Sequence, residues 1–118
     1  MASPPKERAA ETSEQINGYT ALAKKVTDVD GGQLRQLADE LLGKIKDGVV
    51  LLGSDLGDKA QLIVKTNRKD IHAGKLVSEM AAVVGGKGGG RPDMAMAGGK
   101  DTSALEAALE KGLAVLRG

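Results

Sequence analysis

The sequence predicts a small α/β domain of the mixed α+β kind, with a sheet of about four to five strands and three helices packed on it. Three observations carry that reading. Apolar residues recur at helical spacing in three segments, each bounded by glycine or by a capping residue. Two short apolar runs, Val49–Leu52 and Leu62–Val64, flank a turn-forming stretch and read as strands. The chain has 118 residues, room for one domain.

Residues 1–17 are polar, carry Pro4-Pro5 and show no apolar periodicity, so they read as a tail or a truncated helix, with the domain occupying residues 18–118. Gly18 opens Tyr19–Val26, a strand expected near an edge of the sheet. Asp30 is placed to accept an amide proton at the start of a helix, with Gln33 completing a capping box. Leu34, Leu37, Leu41 and Ile45, widened by Ala38 and Leu42, make the apolar stripe of that helix, and Gly48 is its expected stop. Val49-Val50-Leu51-Leu52 then reads as a central strand buried on both faces. Asp55, Gly57 and Asp58 supply turn chemistry before Ala60–Lys65 returns as its hairpin partner.

A second helix is expected from Ala73 to Val84, with Leu76, Val77, Met80, Ala81 and Val84 inward and Lys75 and Glu79 outward. A third opens at Ser103, boxed with Glu106, and carries Leu105, Leu109, Leu113 and Leu116. Gly112 within it costs about 1 kcal/mol relative to alanine, which packing has to offset.

Composition excludes several kinds of chemistry. The chain has no Cys, Phe or Trp, and Tyr19 is its one aromatic residue. The core is therefore aliphatic, and disulfides, thiol nucleophiles and cysteine-based zinc sites drop out. His72 is the single histidine, too few for a His-rich metal site, so no metal, cofactor or catalytic residue is expected. It reads instead as a surface or packing residue at the start of the second helix. No segment approaches the roughly 18 apolar residues that span a bilayer, and residues 1–8 lack the apolar stretch of a signal peptide. The expectation is a cytoplasmic location with no membrane partner.

Net charge is +1 but unevenly spread. From Lys65 to Arg91 the basic residues are Lys65, Arg68, Lys69, Lys75, Lys87 and Arg91 against Asp70 and Glu79, leaving that segment at +4. A local basic face is the footprint of phosphate binding. Seven of the sixteen residues from Gly85 to Lys100 are glycine. Ordering them is entropically unfavourable, which points to a backbone that something must approach closely. The expected arrangement is an anion cradle in which the amides of Gly88, Gly89 and Gly90 turn into one concavity and Lys87 and Arg91 add full charges. Met94 and Met96, with alanines between and after, suggest a short strand inside the segment.

Nucleotide motifs fail here. No Gly-Lys pair is followed by Ser or Thr, and Arg91 stands where G-x-G-x-x-G needs its third glycine. With one aromatic ring, the chain suits recognition of phosphates and RNA shape better than stacking on bases.

The run GGKGGGRPDMAMAGG at 85–99 resembles the glycine-rich signature at the C-terminus of alanyl-tRNA synthetases. Asn17-Gly18 ahead of the first strand, VVLLGS at 49–54, HAGKLVSEMAAVVGG at 72–86, Lys100-Asp101 and the closing amphipathic helix follow in the same order and at similar spacing. The resemblance covers roughly residues 16–117. It implies a domain of the superfamily that also accompanies DHH phosphoesterases. In the synthetases this unit (C-Ala) holds the outer corner of tRNA, the elbow, and supports aminoacylation and editing carried out on other domains. The implied partners are tRNA, at its elbow, and the catalytic and editing domains of a parent synthetase. Lys87, Gly88, Gly89, Gly90 and Arg91 carry over from the motif as candidate RNA contacts, and Lys100 beyond them is a further candidate. Lys65, Arg68, Lys69 and Lys75 are added from charge alone.

Two departures stand out. Many family members have glutamine where this chain has Met96, and the 118 residues include no catalytic or editing portion. Two other readings stay open. One is the nucleic-acid substrate-binding accessory domain of a DHH-type phosphoesterase, against which stand Arg91-Pro92, where a histidine is usual, and the lack of an Asp-His-His motif. The other is a homodimerisation module, for which the apolar C-terminal helix speaks.

Overall fold

The polar segment ahead of Gly18, expected as a tail, forms a strand: β1 (Glu11–Ile16) pairs antiparallel with β2 (Tyr19–Thr27), Ile16 opposite Tyr19. The structure is a computed structural model that describes residues 11–118, so the first part of the expected tail lies outside the described residues. Asn17 (φ 48°) and Gly18 (φ 88°) both take positive φ, the two-residue turn that matches the twist of a hairpin. β2 is therefore second from the edge, with β1 outside it.

α1 (Gly31–Ile45) starts with the expected box. The Gln33 N–H donates to the Asp30 carboxylate (2.9 Å), and the Gln33 side-chain oxygen accepts from the Asp30 N–H (3.4 Å). Its stop is not Gly48 but Lys46, which takes a positive φ of 66°. Gly48 opens β3 (Gly48–Asp55) and is glycine for another reason: a Cβ there would overlap the Thr20 carbonyl oxygen of the neighbouring strand. The helical crossover brings β3 back parallel to β2, as parallel pairing requires.

β4 (Ala60–Thr66) folds antiparallel onto β3. After α2 (Ala73–Val83) come β5 (Lys87–Gly90) and β6 (Met94–Gly99), and α3 (Leu105–Arg117) closes the chain. The order is β1-β2-β3-β4-β6-β5. The sheet thus has six strands, slightly more than expected, and the described residues contain the three expected α-helices.

The helices lie on both faces. α1 packs Leu34, Ala38 and Leu42 against Val50, Leu52 and Ile63. On the other face α2 and α3 bring Val77, Met80, Leu105, Leu109 and Leu113 onto Val49, Leu51, Leu62 and Val64. Leu51 and Leu52 point to opposite faces and both are fully buried. Each contributes about 1.5–3 kcal/mol by leaving water. Gly112 lets α3 approach: a Cβ there would overlap Leu51 Cδ2 and lie 2.8 Å from the Met80 sulfur. Leu105, Leu109 and Leu113 of the α3 stripe are buried in this core, and Leu116 at its end stays half-buried.

The start of α3 differs from expectation. Asp101, not Ser103, does the capping: its carboxylate accepts from the N–H (3.1 Å) and the hydroxyl of Ser103, holding a 3₁₀ turn at Thr102–Ala104. Glu106 stays exposed. An ionised carboxylate is the stronger acceptor, so aspartate displaces serine from the role.

Arg117, at the end of α3, ties down the β1 edge. Its guanidinium donates to both carboxylate oxygens of Glu14 (2.8 Å each) and to Glu110 (2.9 Å). The hydrogen bond from Arg117 holds the Glu14 carboxyl below its ordinary range. A depressed folded pKa gives stabilisation that is present above the unfolded value and lost as pH falls through the folded one. Arg117→Ala should therefore speed amide exchange in β1 at neutral pH while β3 and β4 keep wild-type rates. Acidification should do the same to the wild type, after correction for intrinsic exchange. Identical β1 protection in the variant would mean that the pair contributes nothing, as happens for many exposed pairs.

Candidate nucleic-acid interface

The glycine run does not gather successive amides into one concavity. It is the extended edge strand β5, with all four residues exposed. Successive amides of a strand point in opposite directions, which rules out the expected cradle. The glycines have separate reasons. A Cβ on Gly88 would overlap Ala97 Cβ, one on Gly86 would overlap the Gly98 carbonyl, and one on Gly74 of α2 would lie 2.8 Å from the Gly90 carbonyl oxygen. These positions let β6 and α2 close on β5. Gly89 is different: a Cβ there would meet nothing within 4 Å, and its φ lies outside the left-handed range. It pairs with Met96, on the sheet face that α1 shares and α2 does not.

The turn after β5 is pinned from three sides. The Arg91 N–H donates to the Met94 carbonyl (3.1 Å), Ala73 N–H to the Pro92 carbonyl (2.7 Å) and Thr66 N–H to the Asp93 carbonyl (2.9 Å). The start of α2 and the end of β4 thus fix the backbone that carries Arg91. Lys87 sits at the opposite end of β5, roughly 13 Å away at strand rise. Lys100 follows β6 near the Lys87 end, since Lys87 pairs with Gly98. Lys75 flanks the strand from α2, where it lines a groove of about 580 Å³ with Ser78, Glu79 and Gly88–Gly90.

Charge pairing separates the candidate cations. Lys69, Lys75, Lys87, Arg91 and Lys100 have no carboxylate partner among the described residues. Lys65 pairs with Asp39 of α1. Arg68 donates to both oxygens of Asp70 (2.9 and 3.0 Å) and to Asp47 (3.0 Å), and its guanidinium lies 4.6 Å from the centre of the Tyr19 ring. The hydrogen bond from Arg68 lowers the Asp70 pKa, and burial raises that of Tyr19. With two carboxylates bound, Arg68 is a clamp of the fold and offers little net charge to a ligand. Lys65, Arg68 and Lys69 share a depression with Pro92 and Asp93, next to Arg91. The structure therefore places Lys87, Gly88–Arg91, Lys75 and Lys100 around the terminal hairpin, and the other three at its turn end.

His72 caps α2: its Nδ1 accepts the Lys75 N–H (3.2 Å). Met96 is half-buried and packs toward the start of α1, its Cε 3.0 Å from where a Cβ on Gly31 would stand. The groove beside β5 went unseen in the sequence. Its signal is Gly74, Ser78 and Ala82, small residues one helical turn apart on the side of α2 that meets the glycines.

Residues 18–117, which contain the hairpin, the α2 groove and all three helices, match the DHHA1 domain. The chain belongs to the DHHA1 domain family. Its curated relatives include alanine–tRNA ligase 1 of Lachnoclostridium phytofermentans, 46% identical over 106 residues, which cover 86% of this chain. The alanine–tRNA ligase of Shewanella amazonensis is 49% identical over 100 residues, 82% of this chain. The DHHA1 chain spans about 12% of the length of each. Among solved structures, the C-Ala domain of Aquifex aeolicus alanyl-tRNA synthetase superposes with a TM-score of 0.83 at 29% identity, covering 91% of this chain and 99% of that one. A DHH-domain protein described as belonging to a family of ribosomal proteins reaches 0.60 at 15% identity, covering 94% of this chain and 28% of that one. That second likeness shows the fold alone. The chain therefore corresponds to an appended domain of alanine–tRNA ligase.

Proposed function

We propose that this DHHA1 domain is the tRNA-holding module of an alanine–tRNA ligase, that it grips the tRNA elbow, and that aminoacylation and editing proceed on other domains of the synthetase in the cytoplasm. The observation that carries this reading is the pinned β5–β6 hairpin. It presents Lys87 and Arg91, both without carboxylate partners among the described residues, on either side of Gly89, which has no Cβ to hold a ligand away. A rigid edge with charges at fixed spacing suits a folded RNA backbone. The isolated chain turns over neither aminoacyl-tRNA nor oligonucleotides: it has no cysteine, and the imidazole of its one histidine is engaged as a helix cap.

Titration of tRNA at several salt concentrations tests the reading. About three to five phosphate contacts give a log–log slope on the order of −2 to −4, and anticodon changes leave affinity unaltered. A flat salt response, or equal affinity for an unstructured RNA of the same length, rejects elbow recognition.

A further inference from the structure

The groove beside β5 does not end at α2. His72, Lys75 and Glu79 also line a second cavity of about 500 Å³, on the far side of α2 from the glycine strand. Its floor is apolar, made by Tyr19, Ile71 and Leu76, all buried, with Leu116 half-buried beside them. Val115, at its rim, is the exposed large hydrophobic residue of the described structure, 43% exposed. A cavity of that size and lining suits a planar organic group.

The polar groups decide which group. Asp70 and Glu79 face this cavity, and a carboxylate accepts N–H donors. Both Asp70 oxygens already accept from Arg68. Glu79 is held only loosely, 3.9 Å from Lys111, so its oxygens keep free lone pairs. A carboxylate with two free oxygens matches two adjacent donors. Among the four RNA bases, guanine alone has a ring N–H beside an amino group on its pairing edge. Lys75 precedes Glu79 by one helical turn and is placed for the attached phosphate.

We infer that this cavity receives an unpaired guanine, read by Glu79 and packed on the Leu76–Val115–Leu116 surface, in an RNA held along the exposed edge of β5. The inference rests on the RNA-binding reading above and adds a base-specific contact to it.

Guanosine monophosphate titrated into the 118-residue chain, followed through methyl NMR signals, tests it directly. The Val115 and Leu116 methyls should shift saturably, while Leu34 and Leu42, under α1, stay still. Adenosine monophosphate should bind about fivefold or more weakly, the discrimination a bidentate base contact provides. Glu79→Gln, which keeps the shape, should bring the two nucleotides together. Equal shifts from both nucleotides in the wild type, or no shift at Val115 and Leu116, overturns the guanine site. Such a result leaves elbow binding intact if tRNA affinity still depends on Arg91. A chain that binds guanosine monophosphate as described but no tRNA fails the other way, and the two outcomes are distinct.

Discussion

Gly88→Val should destabilise the domain by more than about 3 kcal/mol, beyond the usual range for overpacking, while Gly89→Val stays within about 1 kcal/mol of the wild type. The two positions are neighbours on the same exposed strand, and composition treats them alike. What separates them is the facing residue. A side chain on Gly88 would begin inside Ala97, with its Cβ also 2.7 Å from Ala97 Cα and 2.8 Å from the Met96 carbonyl oxygen. Backbone cannot give way there without breaking the β5–β6 ladder. A side chain on Gly89 would meet open space, and valine favours extended backbone. Urea denaturation of both variants checks the contrast. Gly89→Val then becomes a clean probe of ligand approach, since it changes neither charge nor fold. It should weaken tRNA binding about tenfold, the scale of a buried charge-assisted contact pushed out of reach. Wild-type affinity in that variant would mean that RNA does not lie against the Gly89 face.

Local signals in the sequence carried most of the fold. Asp30 and Gln33 sit three residues apart and need no tertiary partner to form their box, so the start of α1 was legible. Val49–Leu52 was legible because a run buried on both faces has no polar alternation to hide. The two extra strands failed for opposite reasons. β1 is polar because its outer edge and one face meet water, and its evidence lies in the turn, Asn17-Gly18, rather than in the strand. β5 has no strand propensity at all; four residues, three of them glycine, are made a strand by the close approach of α2 and β6.

The candidate site shows the same limit in its electrostatics. The +4 segment from Lys65 to Arg91 was counted along the chain, but Asp39 and Asp47, which engage Lys65 and Arg68, lie outside that window. Sequence distance concealed the pairing that removes Arg68 from the ligand's reach. The cations around the hairpin survive the correction because no carboxylate among the described residues folds back on them.

Arg91→Ala should therefore weaken tRNA binding about tenfold or more, since a charge-assisted hydrogen bond is worth roughly 1.5–3 kcal/mol net. The backbone that carries Arg91 is fixed by hydrogen bonds from Ala73 and Thr66 to the two residues after it, so little ordering is needed when a phosphate arrives. Its side chain is exposed and makes no ion pair among the described residues, so its removal should leave the thermal midpoint unchanged. Arg68→Ala should do the reverse: the melt falls, because Asp47 and Asp70 lose their shared partner and Tyr19 its cation, while the binding of the folded fraction changes little. Lys44→Ala, on the exposed last turn of α1, controls for net charge and should do neither. Arg91→Lys should recover only part of the affinity, because an ammonium cannot make the two parallel hydrogen bonds of a guanidinium to phosphate. Full recovery with lysine would reduce Arg91 to a point charge. If Arg91→Ala stays folded and binds as the wild type does while Lys69→Ala does not, the RNA lies over the Lys65–Lys69 depression and not along β5.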